Sequence, residues 1–247
     1  SVANVIGVPA TAFFGQILGW RSAFAFVVLI GIVPLVALAR LVPPLAGVHV
    51  SNPVAELGAL RRGQVWMTLI FATVGFGGSF AVYTYISSTL TDVSGLPHSM
   101  VPVALMLFGS GMILGNVVGG RIADNAVVPG LFGCMIALIC VLALFVVAAH
   151  NPVTPLIVLF FIGMAVTSIF PAVQWRLMDA AGDAKTLAST LIHSAFNLAN
   201  AGGAWIGGVV IAAGYGYTPP AAVGALLGVA GLIVLTIAVL LDRLPRA

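Results

Sequence analysis

A few polar side chains sit in stretches too apolar to be bathed in water. His193, Asn197 and Asn200 recur at helical spacing, and Ala204 and Gly207 continue the same face, inside a run without charge from Lys185 to Asp242. An unpaired polar group in hydrocarbon is costly, so this face must look into a helix bundle or a wet cavity. Amides there could hydrogen-bond a solute, and an imidazole could accept a proton. Hydrogen bonding between helices is the simpler role for His193. Gln174 and Arg176 follow Ile169-Phe170-Pro171. Pro171 lacks an N–H, which predicts a kink and a freed carbonyl that would help Phe170 and Gln174 shape a cavity. Tyr83 and Tyr85 point to different faces, so at most one of them lines it.

The remaining charges offer less chemistry. Arg121 and Asp124, three apart, are expected in a tight turn, where they could pair with each other or with another helix end, or simply be solvated. Asp92 falls near the end of an apolar run, and no acid lies near the centre of one. A proton-coupled machine needs a group that changes charge, so its main carrier would lie outside this sequence. No His-Glu-x-x-His, no Gly-x-Ser-x-Gly and no pair of buried acids is present, which argues against an intramembrane enzyme. No cofactor or metal site is expected.

The elements that carry these residues follow from composition. Hydrophobic residues make up 61% of the chain and charged ones 6%, against about 25% charged in a soluble domain. Lipid must therefore be the solvent for most of the surface. Spans are expected to end near Gly19 and then to cover about 22–42, 66–90, 98–120, 127–149, 153–176, 187–213 and 220–241. The fold class is an all-α membrane protein with about eight helices, the first of them expected to be either short or cut. Under strict alternation Arg40, Arg61, Arg62, Arg121, Arg176, Lys185, Arg243 and Arg246 fall on one side and Arg21 alone on the other. This is the positive-inside pattern, which makes the richer side and the C-terminus cytoplasmic. It leaves no basic patch for nucleic acid. Cys134 and Cys140, six apart in one apolar run, do not share a helix face and are expected as free thiols.

Small residues recur in stripes: Gly7, Thr11, Gly15 and Gly19; Gly111, Gly115 and Gly119; Ala199, Gly203 and Gly207. Without a large hydrophobic drive between helices in lipid, such stripes let backbones pack closely. A shift of 196 positions superposes Ala3-Asn4-x-x-Gly7 on Ala199-Asn200-x-x-Gly203, and each copy leads through a glycine-rich helix to a Gly/aromatic corner. That spacing fits two parallel six-helix halves. Residues 1–42 would close the first half, 43–65 would be a linker and 66–247 the second half. The linker holds Pro43-Pro44, Asn52-Pro53 and Glu56–Arg62, the last expected as a surface helix with Leu57 and Leu60 at the interface and Arg61 and Arg62 on headgroups.

Four stretches carry a family resemblance: GVPATAFFGQILGWRSAF (Gly7–Phe24), YTYISSTLTDVSGL (Tyr83–Leu96), GNVVGGRIAD (Gly115–Asp124) and LASTLIHSAFNLANAGGAWIGG (Leu187–Gly208). Together they resemble the proton-driven drug and sugar efflux branch of the major facilitator superfamily. The resemblance implies twelve helices, four of them preceding this sequence, and a multi-pass protein of the inner (plasma) membrane. It implies no cofactor but the coupling proton, and a monomer when full length. It assigns Gly7, Pro9, Gly15, Gly19 and Arg21 to a glycine-rich seal between halves, with Arg21 as an outer anchor. It assigns Gly115, Asn116, Gly120, Arg121 and Asp124 to a gating loop, weakened in charge because Asn125 replaces a usual basic residue. All three stripes are then expected along a rocking seam between halves.

The leading expectation is export of a small organic solute by proton antiport with alternating access around a central cavity. Tyr83, Tyr85, Phe170, Gln174, His193, Asn197 and Asn200 are its candidate lining. Uptake by symport or facilitated flow, and a truncated remnant that does not transport, are the alternatives.

Overall fold

The computed structural model describes residues 2–41 and 56–243. Most of the expected linker, including Pro43, Pro44, Asn52 and Pro53, lies outside the described residues, as does Arg246. The long helices are α1 (Val2–Leu18), α2 (Trp20–Leu41), α3 (Gly63–Thr84), α4 (Val101–Asn125), α5 (Val127–Ala148), α6 (Thr154–Ala181), α7 (Lys185–Val210) and α8 (Pro219–Arg243). No strand occurs among the described residues. Seven segments, from α2 onward, are long and apolar enough to cross a membrane, while the apolar part of α1 is shorter. An α-helix of 17 residues rises only about 25 Å, less than the roughly 30 Å hydrocarbon core.

Several ends differ from the expected spans. The helix expected over 66–90 breaks at Tyr85 (φ −105°, ψ 13°) and continues as a short turn, Ile86–Ser88, and a π-helical turn, Thr89–Val93. A second π-helical turn, Ile211–Tyr215, follows α7. No tight turn holds Arg121 and Asp124, because α4 runs on to Asn125, whose Nδ2 donates to the Arg121 carbonyl at 2.8 Å. The change of direction falls at Ala126 instead. Pro171 does not interrupt α6, which is one element from Thr154 to Ala181.

The helices from α3 onward pack mainly as α4 on α6, α8 and α7 on α3, and α5 on α6 and α8. Glycine makes three of these contacts possible. A methyl group at Gly111, Gly115 or Gly119 would run into the α6 carbonyls of Phe160, Met164 and Ser168 in turn. The contact is reciprocal, since Gly163 faces the Phe108 carbonyl. Gly203 of α7 lies in the same way against the Gly77 carbonyl, and Gly78 and Gly224 bring α3 onto α8. Thr167 ties the first pair further, its Oγ1 donating to the Met112 carbonyl at 3.0 Å. Backbone surfaces this close gain dispersion contacts that lipid cannot replace.

The α1–α2 pair is attached differently. Gly19 takes φ +84°, a left-handed conformation that glycine adopts without penalty, and so turns the chain from α1 into α2. Ser22 Oγ donates to the Phe14 carbonyl at 2.9 Å across the corner. Among these contacts α1 lies along α4, while α2 has no buried residue. The face of α1 turned toward the bundle carries Val8, Pro9 and Ala12, and Gln16 Nε2 donates to the His98 carbonyl at 3.3 Å.

Two of the three stripes therefore pack inside the bundle and not along a seam between halves. Gly7 has no atom within 4 Å of a would-be methyl, and Gly15 meets only Ala23 Cβ at 3.9 Å. The other two stripes fill the contacts of α4 on α6 and of α7 on α3, inside one bundle. Spacing shows which residues share a helix face, but the neighbour is chosen by the whole packing arrangement. Arg21 likewise makes no hydrogen bond to a helix end among the described residues; its guanidinium lies 5.2 Å from the centre of the Trp20 ring.

The end of the expected linker is a 3-10 turn, Leu57–Arg61, rather than a surface helix. Within it Ala59 is buried and Leu57 is 52% exposed. Arg62, although exposed, is tied down: its Nη1 donates to the Ala180 carbonyl at 3.1 Å, at the C-terminal end of α6. Glu56 Oε2 accepts from the Leu187 amide at 2.7 Å, at the N-terminal end of α7. An acid at one helix start and a base at the other's end both suit the helix dipoles. Residues 56–62 therefore strap the α6–α7 turn, and Arg61 and Lys185 lie at the same end of the bundle.

Candidate solute-facing site

On α7, Ala188, Ile192, Ala195, Ala199 and Gly203 are buried against the bundle. Leu198, Trp205 and Val209 are exposed apolar residues, a face suited to lipid. His193, Asn197 and Asn200 are also exposed, and none of them hydrogen-bonds to any described residue. An open polar face on a segment able to cross a membrane does not match hydrocarbon, so its partners must be water, a solute or further polypeptide.

Beside this face runs a row of rings. Phe170 of α6 stacks on Phe196 of α7 at 5.0 Å with 25° between planes, and Phe76 of α3 meets Phe196 edge-on at 4.3 Å. The His193 ring is 6.2 Å from Phe170. Gln174, one turn beyond Phe170 on α6, is half-buried and makes no hydrogen bond among the described residues. Tyr83, two turns from Phe76 on the same face of α3, packs on Phe108 of α4 at 5.0 Å. The structure thus brings Phe170, His193 and their neighbours Asn197 and Gln174 to one region.

Tyr85 belongs to another contact. Its hydroxyl donates to the Ala204 carbonyl at 2.9 Å, and its ring fills the space left by the missing side chains of Gly207 and Gly208. It holds the C-terminal end of α3 to α7 instead of presenting a free hydroxyl. Phe76 and Phe196 were not singled out by sequence reasoning. Phe196 had a signal, its place beside Asn197; Phe76 lies in an all-apolar run with none.

Two residues beyond Gln174 on α6, Arg176 is buried with its side chain only 9% exposed. Its Nη2 donates to Gln64 Oε1 at 3.3 Å and lies 3.9 Å from Asp242 Oδ2. Gln64 in turn donates from Nε2 to the Ala238 carbonyl at 3.0 Å, so α3, α6 and α8 are joined at one end. Arg121 and Asp124 are both exposed and form no ion pair with each other. Asn116 Nδ2 donates to the Met112 carbonyl at 2.9 Å within its own helix, and Gly120 has open space around it. Cys134 is buried and Cys140 exposed, both as free thiols. No group of three or more His, Cys, Asp or Glu able to hold a metal occurs among the described residues.

Comparison with known proteins places this architecture. The chain is 35% identical over 237 residues to the inner membrane transport protein YdhP of Escherichia coli, covering 96% of this chain and 60% of that protein. It is 30% identical over 243 residues to the uncharacterized MFS-type transporter YfhI of Bacillus subtilis, covering 98% of this chain and 61% of that one. A probable sugar efflux transporter of Pasteurella multocida is 29% identical over 237 residues, with 94% of this chain and 57% of that protein aligned. The chain thus spans about 60% of the length of these relatives. Residues 1–204 match the profile of one family along most of an all-helical, multi-pass chain. The chain belongs to the Major Facilitator Superfamily.

Proposed function

We propose that the protein containing this chain exports a small organic solute by proton antiport, alternating access around a central site without covalent chemistry. The observation that carries this reading is the open polar face of His193, Asn197 and Asn200 beside the Phe76, Phe170 and Phe196 rings. Rings give a solute apolar contact, and the amides and Gln174 give it hydrogen bonds that fix orientation. Relatives named as probable sugar efflux transporters support the direction and a polar solute.

In this reading residues 1–42 end one half, 43–65 link the halves and 66–247 form the second half, whose open face closes against the first. The linker and the C-terminus are cytoplasmic, the membrane is the inner (plasma) membrane, and the full-length protein works as a monomer. Arg121 and Asp124, unpaired with each other, engage the opposite half in one of the two access states. The proton carrier lies in the other half, since no acid lies near the middle of a described span. Inward proton movement supplies about 2.3 kcal/mol per 100 mV and about 1.4 kcal/mol per pH unit. Each 1.4 kcal/mol sustains roughly a tenfold gradient of a neutral solute.

Reconstitution of the full-length protein in vesicles carrying a proton gradient tests this. Adding a transported sugar or drug should dissipate the gradient, and an uncoupler should abolish solute accumulation. Solute flow indifferent to the uncoupler would make the protein a facilitator, and solute moving in the same direction as protons would make it a symporter.

A further inference from the structure

Tyr83 and Tyr85 stand two residues apart, and their hydroxyls have different fates. Tyr85 donates to the Ala204 carbonyl at 2.9 Å. Tyr83 is half-buried, and its hydroxyl makes no hydrogen bond to any described residue. A buried phenol ordinarily finds a partner, because an unanswered O–H away from water is costly. Packing on Phe108, at 5.0 Å with 35° between planes, accounts for the Tyr83 ring and leaves its oxygen unexplained.

The position of that oxygen is set by α3. Phe76, Phe80 and Tyr83 follow one another at spacings of four and three, which puts them on one face of Gly63–Thr84. Phe76 meets Phe196, the neighbour of Asn197, so one end of this face lies at the level of the α7 amides. Tyr83 stands seven residues further, about 10 Å along the axis. Phe80 is half-buried between them. The strip has hydrogen-bonding groups at both ends, Asn197 with Gln174 and His193 at one and Tyr83 at the other, and ring surface from Phe196 to Phe80 between. Neither α3 nor α7 beyond Lys185 carries Asp, Glu, Lys or Arg, so these two helices offer a solute no counter-ion.

A solute that answers both ends is longer than one six-membered ring. Its middle lies against carbon, its ends carry hydroxyl groups, and it is neutral. Two linked pyranose rings meet each condition: their faces present C–H to the phenyl groups, and their edges carry hydroxyls for the amides and the phenol. We propose that the site takes an uncharged two-ring glycoside, with Tyr83 as the specificity-determining residue whose hydroxyl bonds the ring remote from Asn197. This inference rests on the reading of the α7 polar face as the place where solute binds.

The test is calorimetric titration of the full-length protein in detergent. Methyl β-glucoside and methyl β-galactoside serve as one-ring probes, and methyl β-cellobioside and methyl β-lactoside as their two-ring counterparts. The native protein should bind a two-ring probe about fivefold more tightly than its one-ring counterpart, the worth of one neutral hydrogen bond. Tyr83→Phe keeps the ring on Phe108 and should bring that ratio to about one by weakening the two-ring probe alone. Tyr85→Phe, whose hydroxyl belongs to the Ala204 contact, should leave the ratio as it is in the native protein. Equal affinity for one and two rings in the native protein, or a ratio that survives Tyr83→Phe, would overturn the role of Tyr83. Binding of none of the four probes would overturn the glycoside class, while export is decided separately by the proton-gradient assay. A length preference lost in Tyr83→Phe, in a protein that moves no protons, would sink antiport and keep this inference.

Discussion

The carboxylate of Glu56 lies 2.7 Å from the backbone nitrogen of Leu187, 131 positions away, and caps the first turn of α7. The first amides of a helix have no partner within it, so a carboxylate there satisfies a donor and meets the positive end of the dipole. Removing a cap costs about 1 kcal/mol. Glu56→Ala should therefore lower unfolding stability of the full-length protein by about that amount in a denaturant titration, and Glu56→Gln, which keeps an acceptor, by less. Equal stability of all three would show that the strap holds nothing.

The glycines divide into two groups by what surrounds them. Gly111→Ala and Gly115→Ala put a methyl into the α6 backbone and should destabilise by about 1–3 kcal/mol, as overpacking does. Gly120→Ala on the same helix meets open space and should leave the melting temperature unchanged. Thermal unfolding in detergent reads all three, and matching losses at Gly115 and Gly120 would contradict the described packing.

Solute recognition by the α7 amides has a kinetic signature. Loss of one neutral hydrogen bond is worth about 1 kcal/mol, or roughly fivefold in affinity. Asn197→Ala and Asn200→Ala should each raise the transport KM by about that factor while the protein remains folded. Two variants with unchanged KM would place the solute elsewhere.

The charges at the end of α4 can be exchanged. Arg121 and Asp124 are not bonded to each other, so the swap Arg121→Asp with Asp124→Arg should not restore transport lost in either single reversal. Recovery in the double variant would mean that the two pair internally during the cycle.

Tyr85→Phe removes the bond to the Ala204 carbonyl but keeps the ring over Gly207 and Gly208. A cost of about 1 kcal/mol is expected in the unfolding free energy. Tyr85→Ala, which also empties the space above two glycines, should cost more.

The spans were legible because lipid imposes a length and forbids charge: the stretches without Asp, Glu, Lys or Arg mark the helices with little interference from tertiary contacts. The polar face of α7 was legible for the same reason, since three polar residues at helical spacing have one direction in common. Partners were not. Gly7 and Gly15 read like Gly111, Gly115 and Gly119, yet among the described residues only the second set lies under another backbone. The break at Tyr85 was hidden because neither Gly nor Pro marks it; the ring turns to fill space on a helix more than a hundred residues away. Glu56 and Arg62 were read as linker and headgroup residues because their acceptor and donor belong to backbone atoms, which carry no signature of their own.

Where main chain touches main chain, as α4 does α6 and α3 does α7 and α8, there is no pliable layer to shear. Such a unit is expected to swing as a lever and not to breathe. Spin labels placed on α4 and α6 should keep their separation throughout the transport cycle, while labels on α7 and on the other half change theirs.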